Sequence, residues 1–462
     1  MSPQKAAEES VQSAGAALKT TDALISPDIP TIDSSLNTLA RVGGFDLLEA
    51  SIEGVQNLNP ERKARKKIFL TDTGKKTERE DLKGKLKLWI ELLSAHHSVS
   101  SMVDLCTEKA EASEANLKQN LSKVLEATRE LEESYRSVAL FYKNTEADKL
   151  KNVALMNASM DQLTDLDNPR FIDYVGAELK QNYDRLDLRN NYSLMVIPGY
   201  MKSNKVVEKW GKIAYNNKVM LVTDFENLEN PDDVLDLFTE SNLTSADAFK
   251  SNVVMTCNYL VGRGKVSEVG EEEDLFVPGS AALAGKMYNT LMSQVTAGKK
   301  HGSMNEVDSV RFDLKKSEIS QLERVGLVPM VNEYGKVMAF SAKTLFNGDN
   351  LGLQTYSVVR VFDYIAKVLV DFLNRRAFEN WTTLTEKDLR KQIIQFLDGI
   401  KGADKLIENF KIQRFERDEN QKDRIYLDIN ITPYFPAKSF VVKLDGQKGD
   451  DGVEWNSEYA KS

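Results

Sequence analysis

The sequence predicts a mixed α/β protein, and three patterns lead to this fold class. Short apolar runs alternate with helix-like segments in the middle of the chain, which is typical of strands joined by helices. Residues 107–148 contain neither glycine nor proline and have helical apolar spacing. Towards the C-terminus, apolar and polar residues alternate as they do in half-buried strands. We therefore expect a central mixed sheet flanked by helices, a helical N-terminal region and C-terminal strands.

The N-terminal part divides into an arm and a helical region. Residues 1–32 are rich in alanine, serine and threonine, so we expect a mobile arm with at most a short amphipathic turn. The apolar positions of that turn are Leu18, Leu24 and Ile25. A helical region is expected over residues 33–180. Within it, the strongly charged stretch 59–87 predicts a solvated loop.

A long helix is predicted over residues 107–148, and it has an apolar seam. The seam residues step by four and three positions alternately, as in a coiled coil or a helical bundle. They are Leu117, Leu121, Val124, Thr128, Leu131, Tyr135 and Val138. Either this helix packs on its own domain, or it projects to meet a neighbouring molecule.

The central domain is expected at 181–375 and the C-terminal domain at 376–462. Residues 193–225 have the pattern of one strand, helix and strand unit with parallel strands. Further strands are predicted at Val253–Thr256, Val310–Leu314, Leu327–Val331 and Val337–Phe340, and helices at 281–296 and 356–379.

Two strand-like runs near the C-terminus, within residues 424–444, raise the question of what they pair with. A two-stranded hairpin alone is marginal in water. The runs therefore either complete a sheet in their own domain or offer their edges to another chain. Their apolar positions are Ile425, Leu427, Ile429, Ile431, Phe440, Val442 and Leu444. The tail 445–462 is expected to be disordered, with Trp455 and Tyr459 as residues that would dock on a neighbour if it ordered.

Charge and composition exclude several classes of protein. The chain of 462 residues has 61 basic and 70 acidic side chains and a formal charge of −9, so no basic field for nucleic acid is expected. Neither a signal peptide nor an apolar run long enough to span a membrane is found in the sequence. Cys106 and Cys257 are predicted to be reduced, buried core residues, which indicates a cytosolic compartment.

The search for a catalytic, cofactor or metal site finds no candidate. His96, His97 and His301 have no metal-ligand spacing around them, and no phosphate-binding loop is present. The densest carboxylate cluster has two interpretations: it binds a cation, or it lies in a solvated loop without a ligand. It consists of Glu271, Glu272, Glu273 and Asp274. An α/β enzyme remains the alternative, with its substrate beyond the strand ends near Pro198 or Asp224.

Five stretches resemble one known family in sequence and in order, and the strand, helix and strand unit at 193–225 is one of them. FDLLEASIEGV at 45–55 and GLVPMVNEYGKVMAFSAKTL at 326–345 are two of them. YSVVRVFDYIAKVLVDFLNRR at 356–376 and DINITPYFPAKSFVVKL at 428–444 are the others. Together they resemble the large contractile-sheath subunit of the type VI secretion system, TssC or VipB.

The resemblance covers about 185–445 and the short patch at 45–55, and it departs from the family at several positions. The family's tryptophan is Ile52, its helix histidine is Asp363, and its Arg-Asp pair is Asn374-Arg375. Residues 59–170 carry helical material that does not align. This pattern is similar to the divergent subtype iii branch of the family.

The resemblance implies a structural, non-enzymatic role in the bacterial cytoplasm. The chain would form a heterodimer with the small sheath protein TssB (VipA), and copies would polymerise around the Hcp inner tube on a baseplate. Contraction from a metastable extended state would propel the tube. The C-terminal strands would join a sheet shared between subunits. A sheath-like protein of a phage tail or an extracellular injection particle is the related alternative.

Two further contacts follow from the resemblance as expectations. A set of basic residues would face the tube, or else these residues are solvated and balanced by Glu379, Glu386 and Asp388. The set is Arg375, Arg376, Arg390 and Lys391. The ClpV unfoldase of the AAA+ class would capture the N-terminal arm at Leu18, Leu24 and Ile25. No nucleic acid, cofactor or inserted membrane segment is expected.

Overall fold

The structure is a computed structural model that describes residues 60–95, 98–146, 150–189, 191–437, 441–448 and 453–460. The chain divides into two compact units with the boundary between Lys123 and Val124, and each unit is treated by itself. Several sequence-based expectations lie outside the described residues. They are the arm with Leu18, Leu24 and Ile25, the stretch 45–55, His96, His97 and Phe440.

Helices make up the described part of the first unit. They are α1 (Pro60–Thr71), a 3₁₀ turn (Thr73–Lys75), α2 (Lys76–Ala95) and the first part of α3 (Val99–Asn144). The expectation of a loop over 59–87 is therefore wrong. Glutamate, lysine and arginine are good helix formers, and ion pairs one turn apart, such as Lys85 with Asp81 at 2.8 Å, support a charged helix in water.

The second unit contains a five-stranded sheet with helices between its strands. In chain order the elements are α4 (Met160–Thr164), α5 (Arg170–Tyr183), β1 (Leu194–Ile197), α6 (Asn204–Asn216), β2 (Met220–Asp224), α7 (Pro231–Ser241), β3 (Val253–Cys257), β4 (Leu260–Arg263), β5 (Leu275–Val277), α8 (Ser280–Asn289), α9 (Gly298–His301), α10 (Lys316–Val325), β6 (Leu327–Glu333) and β7 (Lys336–Ala339).

The strand order in this sheet is β1-β2-β3-β6-β7, and only β7 runs antiparallel to its neighbour. The reversal from β6 to β7 uses Tyr334 and Gly335, whose φ angles of 56° and 70° match a two-residue hairpin turn. β4 and β5 form a separate antiparallel pair.

The prediction of a strand at Val310–Leu314 is wrong, because Val310 makes only a single bridge, to Leu260. The next residues are held by the Asn258 side chain, which bonds to Phe312.

Two apolar cores cover the two faces of the sheet. One face packs under α6, α7 and α10, with Trp210 and Leu322 fully buried. The opposite face packs under α8 and under the first turns of the long helix that begins at Tyr356. Leu140 of α3 also joins this core. Cys257 is buried as expected, whereas Cys106 lies exposed on α3. That expectation is wrong for Cys106 because its stretch of α3 is solvent-exposed.

The C-terminal region adds a third core. Its elements are α11 (Tyr356–Arg375), α12 (Thr383–Ile400), β8 (Ile407–Arg417), β9 (Ile425–Pro433), β10 (Val441–Lys448) and β11 (Val453–Ala460). α11 contributes to two cores, because Tyr356 and Val359 pack below the sheet while Val361 and Ile365 pack against α12 and the β8–β9 hairpin. In the described part of the chain, no helix has the length and apolar character to cross a membrane.

Asp224 ties the ends of the parallel strands together. Its carboxylate accepts hydrogen bonds from the Gly199 N–H (3.0 Å), the Ser280 N–H (2.8 Å) and the Thr256 hydroxyl. Burial raises the pKa of Asp224, and the hydrogen bonds from Ser280, Thr256 and Gly199 oppose that shift. The side chain is fully buried, so it serves the fold at the place where an enzyme of this class would bind substrate.

An Asp224→Ala variant leaves three interior donors without their acceptor. We expect it to lower the free energy of unfolding by roughly 2–4 kcal/mol, because each buried unpaired donor is costly. Chemical denaturation followed by circular dichroism measures the change. The control is Asp236→Ala on the exposed face of α7, expected within about 0.5 kcal/mol of the wild type. Equal effects of the two substitutions would contradict this role of Asp224.

Candidate inter-subunit surfaces

The β8–β9 hairpin presents open strand edges. The two strands pair antiparallel over nine residue pairs, including Ile412 with Ile429 and Phe415 with Leu427. Within the described residues this sheet has only these two strands, and a single bridge from Ile407 to Lys401 is the one further pairing at β8. The backbone groups on the outer edge of β9 are therefore available to a strand from another chain.

One face of the same hairpin belongs to the chain's own core. Leu427, Ile429 and Ile431 pack against the third core, which includes Leu389 and Ile393 of α12. Ile425 at the start of the strand is 36% exposed. The sequence offered internal pairing and inter-chain pairing as alternatives. In the described residues β9 pairs with β8 and its apolar face is internal, while its other edge has no partner strand. Pairing with another chain at that edge stays a prediction.

The second predicted run does not pair with the first. Val442 and Leu444 lie in β10, whose antiparallel partner is β11. The expectation of a disordered tail differs from the structure, in which Trp455 and Tyr459 lie in β11 opposite Gly446 and Val442. The apolar and aromatic residues at alternate positions of this segment suit a strand, and the tail's polar composition concealed that pattern.

α3 carries its apolar seam on the exposed side. Leu131 and Tyr135 are each 71% exposed, and Leu117 and Val124 are more than half exposed. The opposite side of the helix is the buried one at its C-terminal end, where Leu140 enters the second core. Of the two alternatives from the sequence, the described residues favour a helix whose seam is free to meet a partner.

The face of α3 that contacts the central domain is charged. Arg129 pairs with Glu271 at 2.8 Å, and Glu271 also pairs with Arg263 at 2.7 Å. Glu132 accepts from Arg263 at 3.1 Å and from Arg136 at 2.8 Å. These five residues, called the α3 ion-pair cluster below, attach the helix to β4 and to the loop before β5.

Within this cluster Glu271 has a role that neither sequence alternative anticipated. Its side chain is only 11% exposed, so it is neither a solvated loop residue nor free for a cation. Glu272 and Glu273 are exposed, and Asp274 accepts from the Lys265 backbone at 2.9 Å. In the described residues, no three His, Cys, Asp or Glu side chains are grouped as metal ligands.

Two glycines allow the close approach of α3. A Cβ on Gly262 would lie 2.4 Å from Val277 and 3.1 Å from Arg136, and one on Gly285 would lie 2.4 Å from the Phe141 carbonyl oxygen. The Arg136 guanidinium donates to the Gly262 carbonyl at 2.8 Å. A side chain at Gly285 would push the backbone of α3 away from α8, whereas one at Gly262 would clash first with Val277 of β5.

The predicted tube-facing residues mostly have partners inside the chain. Arg376 pairs with Glu379 and with Asp388, the latter at 2.9 Å, and Arg390 pairs with Glu386 at 3.3 Å. These are the carboxylates that the alternative interpretation named. Arg375 pairs with Asp371, and Lys391 is exposed. Their role towards a tube stays a prediction.

The α3 ion-pair cluster was missed in the sequence. A signal for it was present, because Arg129, Glu132 and Arg136 are spaced three and four residues apart on a face that lies about 100° around the helix from the seam. A helix with charge on one side and leucine on the other ordinarily buries the leucine side. Only the position of Glu271 and Arg263, far along the chain, shows that the charged side faces inwards.

Open strand edges and an exposed helical seam, as found in the described residues, are typical of a subunit of a larger assembly. Three family models match successive parts of the chain: the TssC/VipB-like N-terminal region at 32–121, the type VI secretion system TssC/VipB central domain at 123–347, and the TssC/VipB-like C-terminal domain at 355–461. The chain belongs to the TssC/VipB family and is a contractile sheath subunit. Residues 59–170, which had no counterpart in the sequence resemblance, fall within these matches.

Solved structures of contractile systems are similar to the chain at low identity. A chain of the anti-feeding prophage baseplate is 15% identical with a TM-score of 0.49, and the match covers 68% of this chain and 80% of that one. A chain of the contracted helical sheath of the same prophage is 16% identical with a TM-score of 0.46, covering 68% and 81%. The contracted sheath complex of an extracellular contractile injection system is 13% identical with a TM-score of 0.41, covering 67% and 98%. No curated protein matches the chain.

The α3 ion-pair cluster should make the free energy of unfolding depend on pH in the acid range. The hydrogen bond from Arg263 lowers the pKa of Glu271 to about 2 from an ordinary 4.5. A depressed folded-state pKa contributes stability above pH 4.5, and this contribution is lost as the pH falls towards 2. We expect Glu271→Gln to lower the unfolding free energy by roughly 2 kcal/mol at pH 7, with the difference from the wild type shrinking below pH 4.5.

Denaturation curves at several pH values measure this difference. Glu272→Gln is the matched control, because its neighbouring side chain is exposed and should give little change at any pH. A difference between wild type and Glu271→Gln that stays constant from neutral to acid pH would contradict the ion-pair role.

Proposed function

We propose that this sheath subunit forms a heterodimer with a small sheath protein of the TssB (VipA) type and polymerises around an Hcp inner tube. The observation that carries the proposal is the open outer edge of β9 (Ile425–Pro433) in the described C-terminal region. A strand of a neighbouring chain added there gains backbone hydrogen bonds along the whole edge. Such contacts are heterologous and propagate a helix of subunits.

The α3 seam provides a second place for a partner. Its exposed leucines and Tyr135 repeat at coiled-coil spacing, and a helix of the small sheath protein is the proposed occupant. The α3 ion-pair cluster holds the helix with this seam outwards. A strand edge and a helical seam together would bind the partner through two kinds of secondary structure.

The proposed work of the chain is mechanical. Contraction from a metastable extended arrangement to a better-packed one would release conformational free energy and propel the tube. We propose no catalytic role, because Asp224 is buried and bonded within the fold. The proposed location is the bacterial cytoplasm, with attachment to a baseplate and disassembly by a ClpV-type unfoldase. Arg375, Arg376, Arg390 and Lys391 remain the proposed tube-facing residues.

The open edge of β9 can be tested with proline. Neighbouring residues on a strand direct their N–H groups to opposite edges, so Ile429 and Asn430 donate to opposite sides. We expect one of Ile429→Pro and Asn430→Pro to break the β8–β9 ladder and unfold the C-terminal core. The other should fold but lose sheath formation.

Ile429→Ala and Asn430→Ala are the controls, because they remove the same side chains, including the core contact of Ile429, but keep the N–H groups. Circular dichroism reports folding, and electron microscopy after co-expression with the small sheath protein reports tubules. The contradicting outcome is that one proline variant unfolds while the other folds and still forms normal tubules. That result would show that the outer edge of β9 is not used for assembly.

The seam can be tested without disturbing the core. The double substitution Leu131→Glu and Tyr135→Ser changes two side chains that are each 71% exposed, so thermal stability should change little. We expect heterodimer formation to fall at least tenfold, which size-exclusion chromatography of the co-expressed proteins measures. Glu130→Gln with Ser134→Ala, at exposed neighbouring positions, is the control. An unaffected heterodimer would exclude the seam as a contact.

A further inference from the structure

α2 carries a stripe of large apolar side chains on a face that is open to solvent. Its residues step by four, three and four positions, with one further residue beside them, and this is the spacing of a helical seam. They are Leu82, Leu86, Trp89, Leu93 and the adjacent Ile90. Trp89 and Ile90 are 60% and 62% exposed, and Leu86 is 55% exposed. These five residues, called the α2 stripe below, form an apolar patch of the kind that marks a contact surface.

The elements next to α2 in the chain offer no matching surface. α1 ends with three consecutive apolar residues, Ile68 to Leu70, and consecutive residues point to different sides of a helix. Residues 106–116 of α3 would lie beside the stripe if α3 turned back along α2. They contain no apolar side chain larger than cysteine. An occupant of the stripe must therefore come from elsewhere.

Residues 45–55, FDLLEASIEGV, have a pattern that matches the stripe. This segment lies outside the described residues, and its sequence predicts a short helix. Its apolar row steps by three, four and three positions, through Phe45, Leu48, Ile52 and Val55. At 1.5 Å per residue, the row and the stripe are each about 16 Å long. The N-terminal family model matches residues 32–121 as one region, so the segment and the stripe belong to the same region of the family.

Charges of opposite sign border the two apolar rows. Beside the row of the segment lie three acidic residues at helical spacing: Asp46, Glu49 and Glu53. Beside the stripe lie two exposed lysines one turn apart, Lys83 and Lys87. Lys87 is 4.0 Å from Glu91, and an exposed ion pair of this length contributes little. Both lysines are therefore available to the acidic residues of the segment.

The positions of the charges select one direction for the segment. At 3.6 residues per turn, the acidic residues and the lysines lie on the same rotational side of their apolar rows. Two such borders meet when the helices run antiparallel, because the charged positions that flank a seam set the orientation of its helices. Phe45 would then lie level with Leu93, and Val55 with Leu82.

The connection between the segment and α2 permits this direction. Arg79 donates to the carbonyl oxygens of Phe69 and Asp72 at 2.6 Å each, so the first turn of α2 is held at the last turn of α1. Asp72 has an extended backbone, so the two helices are not continuous. α1 is about 18 Å long, and the four residues 56–59 before it extend to about 14 Å. Val55 can therefore reach the N-terminal half of α2.

We propose that residues 45–55 dock antiparallel on the α2 stripe of the same molecule. The docked helix would cover the stripe and pair its acidic residues with Lys83 and Lys87. The part of the chain before Phe45 would thereby be attached beside α2. The contact lies within the N-terminal region, so it goes beyond the proposed function and does not depend on sheath formation.

A photo-crosslinking residue in the segment tests the contact in the full-length, unassembled chain. Benzoylphenylalanine replaces Phe45, and mass spectrometry maps the crosslinks in an equal mixture of unlabelled and ¹⁵N-labelled chains. We expect crosslinks to the C-terminal half of α2 in which both peptides carry the same isotope, because an intramolecular contact does not mix the labels. The same reagent at Leu47, on the other side of the predicted helix, is the control and should crosslink to α2 at least fivefold less.

Two results of this experiment would overturn the proposal. Crosslinks between peptides of different isotope would show that the stripe binds the segment of a second copy. Crosslinks from position 45 that miss α2, or that match those from position 47, would show that the segment does not occupy the stripe.

Charge reversal tests the antiparallel direction. The triple substitution Asp46→Lys, Glu49→Lys and Glu53→Lys should lower the crosslink yield from position 45 to α2 at least fivefold. Adding Lys83→Glu and Lys87→Glu should restore the yield, because the two borders are then again of opposite sign. The control adds Lys85→Glu and Lys109→Glu, at exposed positions on the other border of the stripe and on α3, and should not restore it. Equal yields from all variants would contradict the charge pairing. The readout needs no tubules, so a failure of the proposed sheath function leaves this test intact.

Discussion

The charged face of α3 determines which surfaces the second unit exposes. Arg129, Glu132 and Arg136 meet Arg263 and Glu271 across the approach to β4, and the side chain of Glu271 is largely shielded from water. Charges removed from water are tolerated only when they are paired and hydrogen-bonded. The cluster meets this condition with alternating signs, so the helix is held by its polar side. The leucine-rich side is left exposed to solvent, which is unfavourable for an isolated chain.

α11 links the surfaces to one another. Its apolar residues are shared between the core below the sheet and the core below the β8–β9 hairpin. Its polar residues bind the segment before β1: Lys367 donates to the Tyr192 carbonyl at 2.7 Å, and Asp371 accepts from the Leu188 N–H at 2.8 Å. Burial lowers the pKa of Lys367 to about 8. α11 therefore connects the β8–β9 hairpin with the central sheet through two packed cores.

The parts of the fold that depend on local pattern were predictable from the sequence. β2, β3 and β6 are apolar runs buried on both faces, and α11 follows its predicted range closely, because period and length decide such elements. The charged helices α1 and α2 were mistaken for a loop, because composition alone does not distinguish a solvated helix from a solvated loop. The role of Glu271 and the outward seam depended on contacts more than a hundred residues apart along the chain, which no local pattern contains. β9 pairs with β8, and β10 pairs with β11, and both partner strands lie outside residues 424–444.

The most direct test of the assembly is a cryo-electron microscopy reconstruction of tubules formed by this chain and the small sheath protein. The expected result is a strand from a neighbouring chain paired along the outer edge of β9 (Ile425–Pro433), with the β8–β9 hairpin still packed on α12. A reconstruction in which that edge faces solvent, and the subunits meet through other surfaces alone, would contradict the central claim that open strand edges join the subunits.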